Sequence, residues 1–578
     1  MSSIYYTITS NKYPKEKYLL SDIKNIFKEV GYYSDVVNEV HILDNQPFVP
    51  YKMYKPNKFI NIKSYQLLDT NTLSYLINLG ADIQVNDGYL FKLAIIREHL
   101  PVIKLLIENK ANISWSAIDL ASGKGHIEIV KLLIELGADI DTAVKGACKA
   151  GRSDVLKLLI AHGANIHVDD DICIQMASDY GDIETIQLLI SAGANVQAAD
   201  NYPLSNACQQ GNIQLIKLLI EAGANIEDEN NYAILDAADN DNIEVVQFLI
   251  NHGADVTVDN NASITYACDN NNLSIVKLLI NHGADVKANN NEAVQSACGV
   301  GNLAMIELLI ANGADIKDNN NQAIRIASIN NRIEVVKLLI NLGADITAND
   351  NSAVVLASSS GHIDIVKLLI ANGANILAGD NYAIRNASFN GHYDMVQLLI
   401  AHGADVTSLN NYAVGAASRN GYDNVVQLLI NAGADILDGN NYAIRLAAEY
   451  GETSTVKLLI DSGADIHALD NYAIRLAAKH GHYLTVKLLI DSGANVHAQD
   501  NYAIRLAAEH DQVQIVKLLI DSGANIHAQD NYALRKSSEN GHLKVVKLLI
   551  KHGAKAEDSI IRDNYLFVRS AKARTGTK

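Results

Sequence analysis

The sequence is poor in several residue types, and each shortage excludes a class of protein. Its 578 residues include one tryptophan, six prolines and five cysteines. The cysteines are odd in number and form no Cys-x-x-Cys pair, which argues against a disulfide framework and favours a reducing compartment. No run of about 20 apolar residues is present, so no membrane-spanning helix is expected. A composition of 48% hydrophobic and 19% charged residues indicates a folded chain.

Basic residues are outnumbered over most of the chain. The formal net charge is -18, although the ends are basic, with nine lysines against six acids in residues 1–65 and six basic residues against three acids in 554–578. The acidic middle would repel phosphate backbones, so we expect no nucleic-acid partner. The N-terminal residues lack an apolar segment before a small-residue cleavage site. This predicts the absence of a secretory signal and a cytoplasmic location.

Glycine, in contrast, is abundant and regularly placed. Among the 36 glycines, fourteen follow one another at intervals of thirty residues, from Gly163 to Gly553. Upstream the spacing is less regular, since Gly137 precedes Gly163 by 26 residues and Gly80 starts the series. A fixed period of about 20 to 50 residues predicts a solenoid or an array. We count about seventeen units, of which the first is incomplete.

Each unit is predicted to hold two helices. In the last full unit the first helix runs from about Ala533 to Glu539, Asn540 and Gly541 form a turn, and the second helix begins near His542. The apolar positions of the second helix span a wide arc, which is expected when neighbours pack on two sides. Those residues are Leu543, Val545, Val546, Leu549 and Ile550. The predicted class is all-α, with a core formed by the stacking of adjacent units.

The runs "VKLLI", "GADI" or "GANI", and "AA" followed by "GH" resemble the ankyrin repeat over roughly residues 66–553. The resemblance implies an ankyrin-repeat solenoid of about 17 helix-turn-helix units, with projecting loops and a concave groove that holds other proteins. The units have 30 residues instead of about 33 and read "NYAIRLA" where the family has T-P-L-H-x-A. The missing residues predict shorter projecting hairpins. The short units and the A/T-rich residue usage also resemble the ankyrin proteins of giant amoeba-infecting viruses of the mimivirus type.

An asparagine stands just before the first helix in twelve consecutive units. Asn is among the best N-cap residues and tolerates a left-handed backbone. We therefore predict that it caps the first helix in place of the family's threonine. The positions are Asn201, Asn231, Asn261, Asn291, Asn321, Asn351, Asn381, Asn411, Asn441, Asn471, Asn501 and Asn531.

Histidines also recur at the repeat spacing, for example at His467, His497 and His527. Equivalent atoms in adjacent units should lie about 10 Å apart, whereas zinc ligands lie about 2 Å from one metal. No metal site is therefore predicted. The sequence also lacks phosphate-binding loops and the motifs of hydrolases and metalloproteases, so we predict no catalytic residues, no cofactor and no enzymatic activity.

Arginine and tyrosine recur in the first helices. One interpretation of the arginines is a tie between units, in which each guanidinium meets a loop acid such as Asp470 or Asp500. The other is a basic stripe for an acidic partner, and we favour the tie. The tyrosines suit either an interface or packing between units. The candidate partner-binding residues are Arg385, Arg445, Arg475, Arg505, Arg535, Tyr442, Tyr472 and Tyr502.

The chain is predicted to have three segments: an N-terminal cap or docking segment (1–65), the ankyrin repeat array (66–553), and a C-terminal capping helix with a basic tail (554–578). Residues 16–30 predict an amphipathic helix, and the rest of the first segment predicts extended or looped chain. The expected function is that of a non-enzymatic, monomeric scaffold that binds a protein partner. If the chain is viral, the expected partner is a host protein. The alternative is a substrate-recruiting adaptor of a ubiquitin ligase that acts through residues 1–65.

Overall fold

The computed structural model describes residues 4–9, 18–21, 36–42, 53–54, 59–66, 68–84, 88–114, 116–226 and 232–555. The chain divides into two compact units, Met1–Ala284 and Asp285–Lys578. Helical hairpins of one type occur in both units.

A five-stranded antiparallel sheet begins the first unit. Its strands are β1 Ile4–Thr9, β2 Tyr18–Ser21, β3 Val36–Ile42, β4 Met53–Tyr54 and β5 Phe59–Gln66. Their order in the sheet is β4-β2-β1-β3-β5, and each neighbouring pair is antiparallel. The pairing of β3 with β5 has an irregularity between Glu39 and Val40.

The helix predicted over residues 16–30 is wrong at Tyr18–Ser21, which forms strand β2. A short apolar run does not distinguish a helix from a strand by its periodicity. Here the pairing of β2 with β1 on one side and β4 on the other decides the conformation. Residues 22–30 lie outside the described residues, as does the C-terminal capping helix predicted beyond Lys555.

Fifteen helices follow in the described part of the first unit. The first of them is the second helix of the incomplete repeat, and the others form seven hairpins. They are α1 Thr70–Asn78, α2 Tyr89–Ile96, α3 Leu100–Glu108, α4 Ala117–Lys124, α5 Ile127–Glu135, α6 Ile140–Lys149, α7 Ser153–Ala161, α8 Val168–Tyr180, α9 Ile183–Ser191, α10 Ala198–Gln209, α11 Ile213–Glu221, α12 Tyr232–Asp239, α13 Ile243–Asn251, α14 Val258–Asp269 and α15 Leu273–Asn281.

The second unit has eighteen helices in its described residues, arranged as nine hairpins. Even-numbered helices are the first, and odd-numbered helices the second, of each repeat. They are α16 Ala288–Val300, α17 Leu303–Ala311, α18 Asp318–Ile329, α19 Ile333–Asn341, α20 Ala348–Ser359, α21 Ile363–Ala371, α22 Ala378–Phe389, α23 Tyr393–Ala401, α24 Ser408–Arg419, α25 Asp423–Asn431, α26 Asp438–Tyr450, α27 Thr453–Asp461, α28 Ala468–His480, α29 Tyr483–Asp491, α30 Ala498–Glu509, α31 Val513–Asp521, α32 Ala528–Glu539 and α33 Leu543–Lys551.

Within each unit the core lies between a layer of first helices and a layer of second helices. First helices contact first helices of the adjacent repeats, as α26 contacts α28, and second helices do the same, as α25 contacts α27. The buried faces carry small residues such as Ala477 on the first helix and branched residues such as Val456 and Leu459 on the second, all with no exposed surface. The predicted all-α solenoid of helical hairpins is confirmed for the repeats.

The cysteines belong to this core. All five are buried. Cys208, Cys268 and Cys298 have no exposed surface, which confirms the prediction that they serve as small core residues. Burial raises the pKa of the Cys298 thiol to about 12, so the thiol stays protonated at neutral pH.

The periodic glycine follows the second helix of every repeat except that of α3, where Lys110 takes the left-handed position. At Gly463 the backbone is left-handed, with φ of +96°. The amide of Gly463 donates to the carbonyl of Ile460, and the amide of Ala464 donates to that of Leu459. This pair of bonds is the Schellman arrangement, which satisfies carbonyls that the helix end leaves open.

Gly463→Ala is expected to lower the free energy of unfolding by about 1–2 kcal/mol, because an L-residue with a Cβ is strained in left-handed backbone. No atom lies within 4 Å of the position that the new Cβ would take, so backbone strain alone should cause the loss. Urea denaturation of the full chain measures it. Gly463→Asn is the matched control and should lose less, since Asn tolerates this conformation. Equal losses for Ala and Asn would contradict the explanation.

Candidate interaction surface

A left-handed turn lies just inside the start of the first helix of most repeats, within the helix bounds given above. In α28 it consists of Leu469, Asp470 and Asn471, whose φ values are +49°, +54° and +59°. Such backbone costs about 1–2 kcal/mol per residue, and Asn and Asp tolerate it best. The same turn opens α8, α10, α14 and every even-numbered helix from α16 to α32. No strand is assigned between residues 68 and 555 where the chain is described, so these turns stand where the family's projecting hairpins were expected.

The recurring asparagine occupies the third position of this turn and joins adjacent repeats. The Oδ1 atom of Asn471 accepts the backbone N–H of Asn495 at 2.7 Å, and Asn471 is only 6% exposed. The predicted tolerance of left-handed backbone is confirmed. The predicted capping role is wrong at Asn471, because its side chain accepts an amide 24 residues ahead and not one of its own helix. In the same way, a backbone N–H 24 residues ahead donates to the Oδ1 atoms of Asn201, Asn291, Asn321, Asn351, Asn381, Asn411, Asn441 and Asn501. Asn231 lies outside the described residues.

The loop histidines support the same asparagines. The Nδ1 atoms of His467 and His497 each lie 3.1 Å from the Oδ1 atom of the asparagine four residues later. Since that oxygen can only accept, Nδ1 carries the proton. Among the described residues, no group of three or more His, Cys, Asp or Glu side chains is placed to hold a metal ion.

The arginine of the first helix clamps the left-handed turn and reaches the next repeat. Nη2 of Arg475 donates to the carbonyl of Leu469 at 2.7 Å, and Nη1 donates to Oε1 of Gln499 at 2.7 Å. Its guanidinium carbon lies 4.8 Å from the ring centroid of Tyr472 and 5.5 Å from that of Tyr502 in the next repeat. Arg475 is 5% exposed. This burial lowers the pKa of its guanidinium, which nevertheless remains charged at neutral pH.

Equivalent arginines repeat parts of this arrangement. Arg385, Arg445 and Arg505 each donate to a carbonyl of their own turn and lie between two tyrosine rings. Arg535 has a carbonyl bond of 3.3 Å to Gln529. The predicted tie between repeats is therefore observed, but its predicted acidic partner is wrong. The acid is reached only indirectly, since the Gln499 amide donates to Asp470 at 3.2 Å.

We name the recurring arginines and tyrosines of the first helices from Tyr382 to Arg535 the arginine–tyrosine ladder. Its tyrosines differ in exposure. Tyr382, Tyr412 and Tyr442 are 47%, 39% and 38% exposed, whereas Tyr472 and Tyr502 are half-buried. The ladder thus presents aromatic surface mainly between residues 382 and 450. The assignment of Arg385, Arg445, Arg475, Arg505, Arg535, Tyr442, Tyr472 and Tyr502 to partner binding stays a prediction.

The ladder is interrupted at Gly415, which stands at the arginine position of its repeat. No arginine side chain therefore lies between the rings of Tyr412 and Tyr442. A Cβ built on Gly415 would lie 3.0 Å from Cδ1 of Tyr442, so the tyrosine ring has moved into the space of the missing side chain. Next to it is a pocket of 180 Å³. We name it the aromatic pocket, and its lining is Phe389, Tyr412, Ala416, Arg419, Tyr442, Leu446 and Tyr450.

Arg419 is the charged residue of the aromatic pocket. Its guanidinium carbon lies 4.4 Å from the ring centroid of Tyr450 and 5.9 Å from that of Phe389. Phe389, Arg419 and Tyr450 are not among the site residues predicted from the sequence. The signal that points to this place is the absence of arginine from the ladder position at Gly415.

A second pocket lies in the first unit, at the repeat that is four residues short. The residue three positions after the periodic glycine is normally buried, as Ile166 is at 5% exposure. In the short repeat the equivalent Ile140 already starts helix α6 and is half-buried. A pocket of 300 Å³ lies beside Gly137 of this repeat, and its lining is Ile113, Ser114, Ala117, Ile118, Leu133, Leu136, Gly137, Ala138, Asp139 and Thr142.

The helices of the described residues are all too short or too polar to cross a membrane. In comparisons with protein families, the model described as "Ankyrin repeats (3 copies)" matches residues 64–144, 91–170, 173–260, 264–350, 297–380, 348–410, 381–470, 413–500 and 474–560. A comparison with curated proteins finds no match. Ankyrin repeats are generally scaffolds for protein–protein interaction, and proteins built from them are typically non-enzymatic. With most of its length matched, the chain belongs to the ankyrin-repeat family.

Proposed function

We propose that this chain is a non-enzymatic scaffold that binds a protein partner on the face of its first helices. The observation that carries the proposal is a group of exposed aromatic residues on α22, α24 and α26. Aromatic side chains are enriched at protein interfaces, and a contiguous exposed apolar patch marks an interaction site more often than scattered residues do. The group is Tyr382, Phe389, Tyr412, Tyr442 and Tyr450, which are 37–47% exposed.

In this proposal the tyrosines of the arginine–tyrosine ladder contact the partner, and the arginines hold the tyrosine rings in position. Tyr442 offers ring surface to a partner, because it is 38% exposed. Arg475 and Arg505 are 5% and 6% exposed, so a partner has little access to them. Their part is to hold the neighbouring rings in place through cation–π contacts.

We further propose that the partner is a protein of the host-cell cytoplasm, met by a single copy of the chain. The support is the resemblance of the short repeats and of the residue usage to the ankyrin proteins of giant amoeba-infecting viruses. The alternative function, a ubiquitin-ligase adaptor that acts through residues 1–65, has no observation in the described residues in its favour.

Affinity purification of the tagged full chain from amoebal cells tests the scaffold function. The triple variant Tyr382→Ala, Tyr412→Ala, Tyr442→Ala should reduce recovery of the partner about tenfold, because buried aromatic anchors dominate interface energies. Leu484→Ala is the control, since Leu484 is 66% exposed on the second helix α29. Thermal unfolding of each variant checks that the fold is kept.

Three results are distinguishable. Loss of the partner from the triple variant alone supports the proposed face. Equal recovery by the triple variant and the wild type contradicts it. Recovery of a ligase subunit that all variants retain would favour the adaptor function instead.

A further inference from the structure

Two features meet at the aromatic pocket: the arginine of the ladder is missing at Gly415, and the guanidinium of Arg419 has no anionic partner in the described part of the chain. In the adjacent repeats, Arg385 and Arg445 each donate to the carbonyl at the start of their own left-handed turn. Gly415 has no side chain to do so. The pocket opens beside this gap, within the second unit, between helices α22, α24 and α26.

Arg419 faces this pocket without an anionic partner. Among the described residues, it has cation–π contacts with Phe389 and Tyr450 but no hydrogen bond or ion pair. Glu449, which precedes Tyr450 on the lining helix α26, lies 4.0 Å from His480. A guanidinium that stacks on an aromatic ring keeps the edge of its fork free for a carboxylate.

We propose that the aromatic pocket binds an acidic peptide segment of a protein partner. A glutamate or aspartate carboxylate of that segment receives two hydrogen bonds from Arg419, and an adjacent aliphatic or aromatic side chain packs on Tyr412 and Tyr442. This inference rests on the proposed scaffold function and specifies its partner chemistry.

The array as a whole is acidic, but the local charge and geometry of the aromatic pocket favour a carboxylate over other occupants. A cationic side chain would be repelled by Arg419, the charged residue of the lining. A phosphoryl group is normally held by several donors around its three oxygens, whereas this pocket offers one arginine fork. The fork matches the two oxygens of a single carboxylate.

Selection from a random-peptide phage library against the full chain tests this inference without a known partner. Selected peptides should carry Asp or Glu next to an apolar residue. Their affinity, measured by fluorescence anisotropy with synthetic copies, should fall about tenfold or more with Arg419→Gln, because a hydrogen-bonded charge pair is lost. Arg419→Lys should restore only part of it, since Lys cannot form the fork.

The matched control is Arg332→Gln. Arg332 precedes the second helix α19 and donates to the carbonyl of Gly299 outside the aromatic pocket. It should leave peptide affinity within about twofold of the wild type, which is the scatter expected for a distant site. Unfolding curves of the three variants establish that each one is folded.

Selection of basic peptides, selection without any acidic preference, or affinity that Arg419→Gln leaves unchanged would overturn the inference. The scaffold function is judged separately, by the partner recovered from cells. If the aromatic triple variant loses that partner but Arg419→Gln does not, the scaffold function stands and the acidic-peptide inference fails.

Discussion

Replacing Asn471 by alanine is expected to lower the free energy of unfolding by about 2–4 kcal/mol. Two losses contribute. Alanine is strained at φ of +59° by about 1–2 kcal/mol. The N–H of Asn495, whose hydrogen bond is partly buried, also loses its acceptor, and an unsatisfied donor costs up to about 1–3 kcal/mol. Urea denaturation of the full chain, followed by circular dichroism, measures the change.

Asn471→Asp is the matched control, because an aspartate keeps both the acceptor oxygen and the tolerance of left-handed backbone. The chain itself supplies this substitution in another repeat. Asp171 has φ of +58° and accepts the N–H of Asn195 at 3.1 Å. We expect Asn471→Asp to lose about 1 kcal/mol or less at neutral pH, by analogy with conservative caps.

Hydrogen exchange gives a second measurement, because it shows where along the chain Asn471→Ala lowers stability. Stability in a repeat protein is a sum of repeat and neighbour terms, so the amide of Asn495 should exchange its hydrogen faster in Asn471→Ala. If alanine and aspartate cause the same loss, or if exchange at Asn495 is unchanged, the asparagine does not act as a bridge between repeats.

The helical array could be predicted from the sequence because several local signals agree. Three signals indicate one hairpin per thirty residues: the glycine after nearly every second helix, the apolar arc of residues such as Val456 and Leu459, and the constant spacing from Gly163 onward. The N-terminal strand β2 could not be predicted. Its four residues, Tyr18–Ser21, have no periodicity that excludes a helix, and their conformation depends on distant partners in β1 and β4.

The role of the asparagine could be predicted only in part, for a physical reason. Asn favours both a helix N-cap and left-handed backbone, and the residue type alone does not choose between them. The choice is made by an amide 24 residues ahead, which the stacking of repeats brings within 2.7 Å of Asn471. A one-dimensional pattern contains the spacing but not this proximity.

The hydrogen-bond partners of the arginines in the arginine–tyrosine ladder could also not be predicted from the repeat spacing. Asp470, Gln499 and the carbonyl of Leu469 all recur with the arginine at the same interval, so the spacing does not rank them as partners of Arg475. The left-handed turn decides, because it directs the Leu469 carbonyl at the guanidinium. The sequence shows the missing arginine at Gly415. It does not show that Arg419, one helical turn later on α24, lines the aromatic pocket beside this position.

Arg475→Ala is expected to lower the free energy of unfolding by about 3 kcal/mol. The substitution removes two hydrogen bonds from a charged donor, to Leu469 and Gln499, and such bonds contribute about 1.5–3 kcal/mol each. It also removes cation–π contacts with Tyr472 and Tyr502, worth about 1–2 kcal/mol where the cation is desolvated. Release of the guanidinium from a site where it is 5% exposed offsets part of this sum.

Arg535→Ala is the matched control at the same position of the last repeat. Arg535 keeps one carbonyl bond, at 3.3 Å, and is half-buried. Its removal should cost about 1 kcal/mol or less, as expected for one ordinary hydrogen bond. Denaturant unfolding of both variants under the same conditions gives the comparison.

A double-mutant cycle with Tyr502→Leu separates the tie between repeats from the bonds within one repeat. Tyr502 belongs to the repeat after Arg475, so their coupling energy reports the contact across the repeat boundary. We expect a coupling of about 1 kcal/mol. A coupling near zero, with equal losses for Arg475→Ala and Arg535→Ala, would mean that the arginine does not join repeats. The stripe of charge for an acidic partner would then be the better explanation of its recurrence.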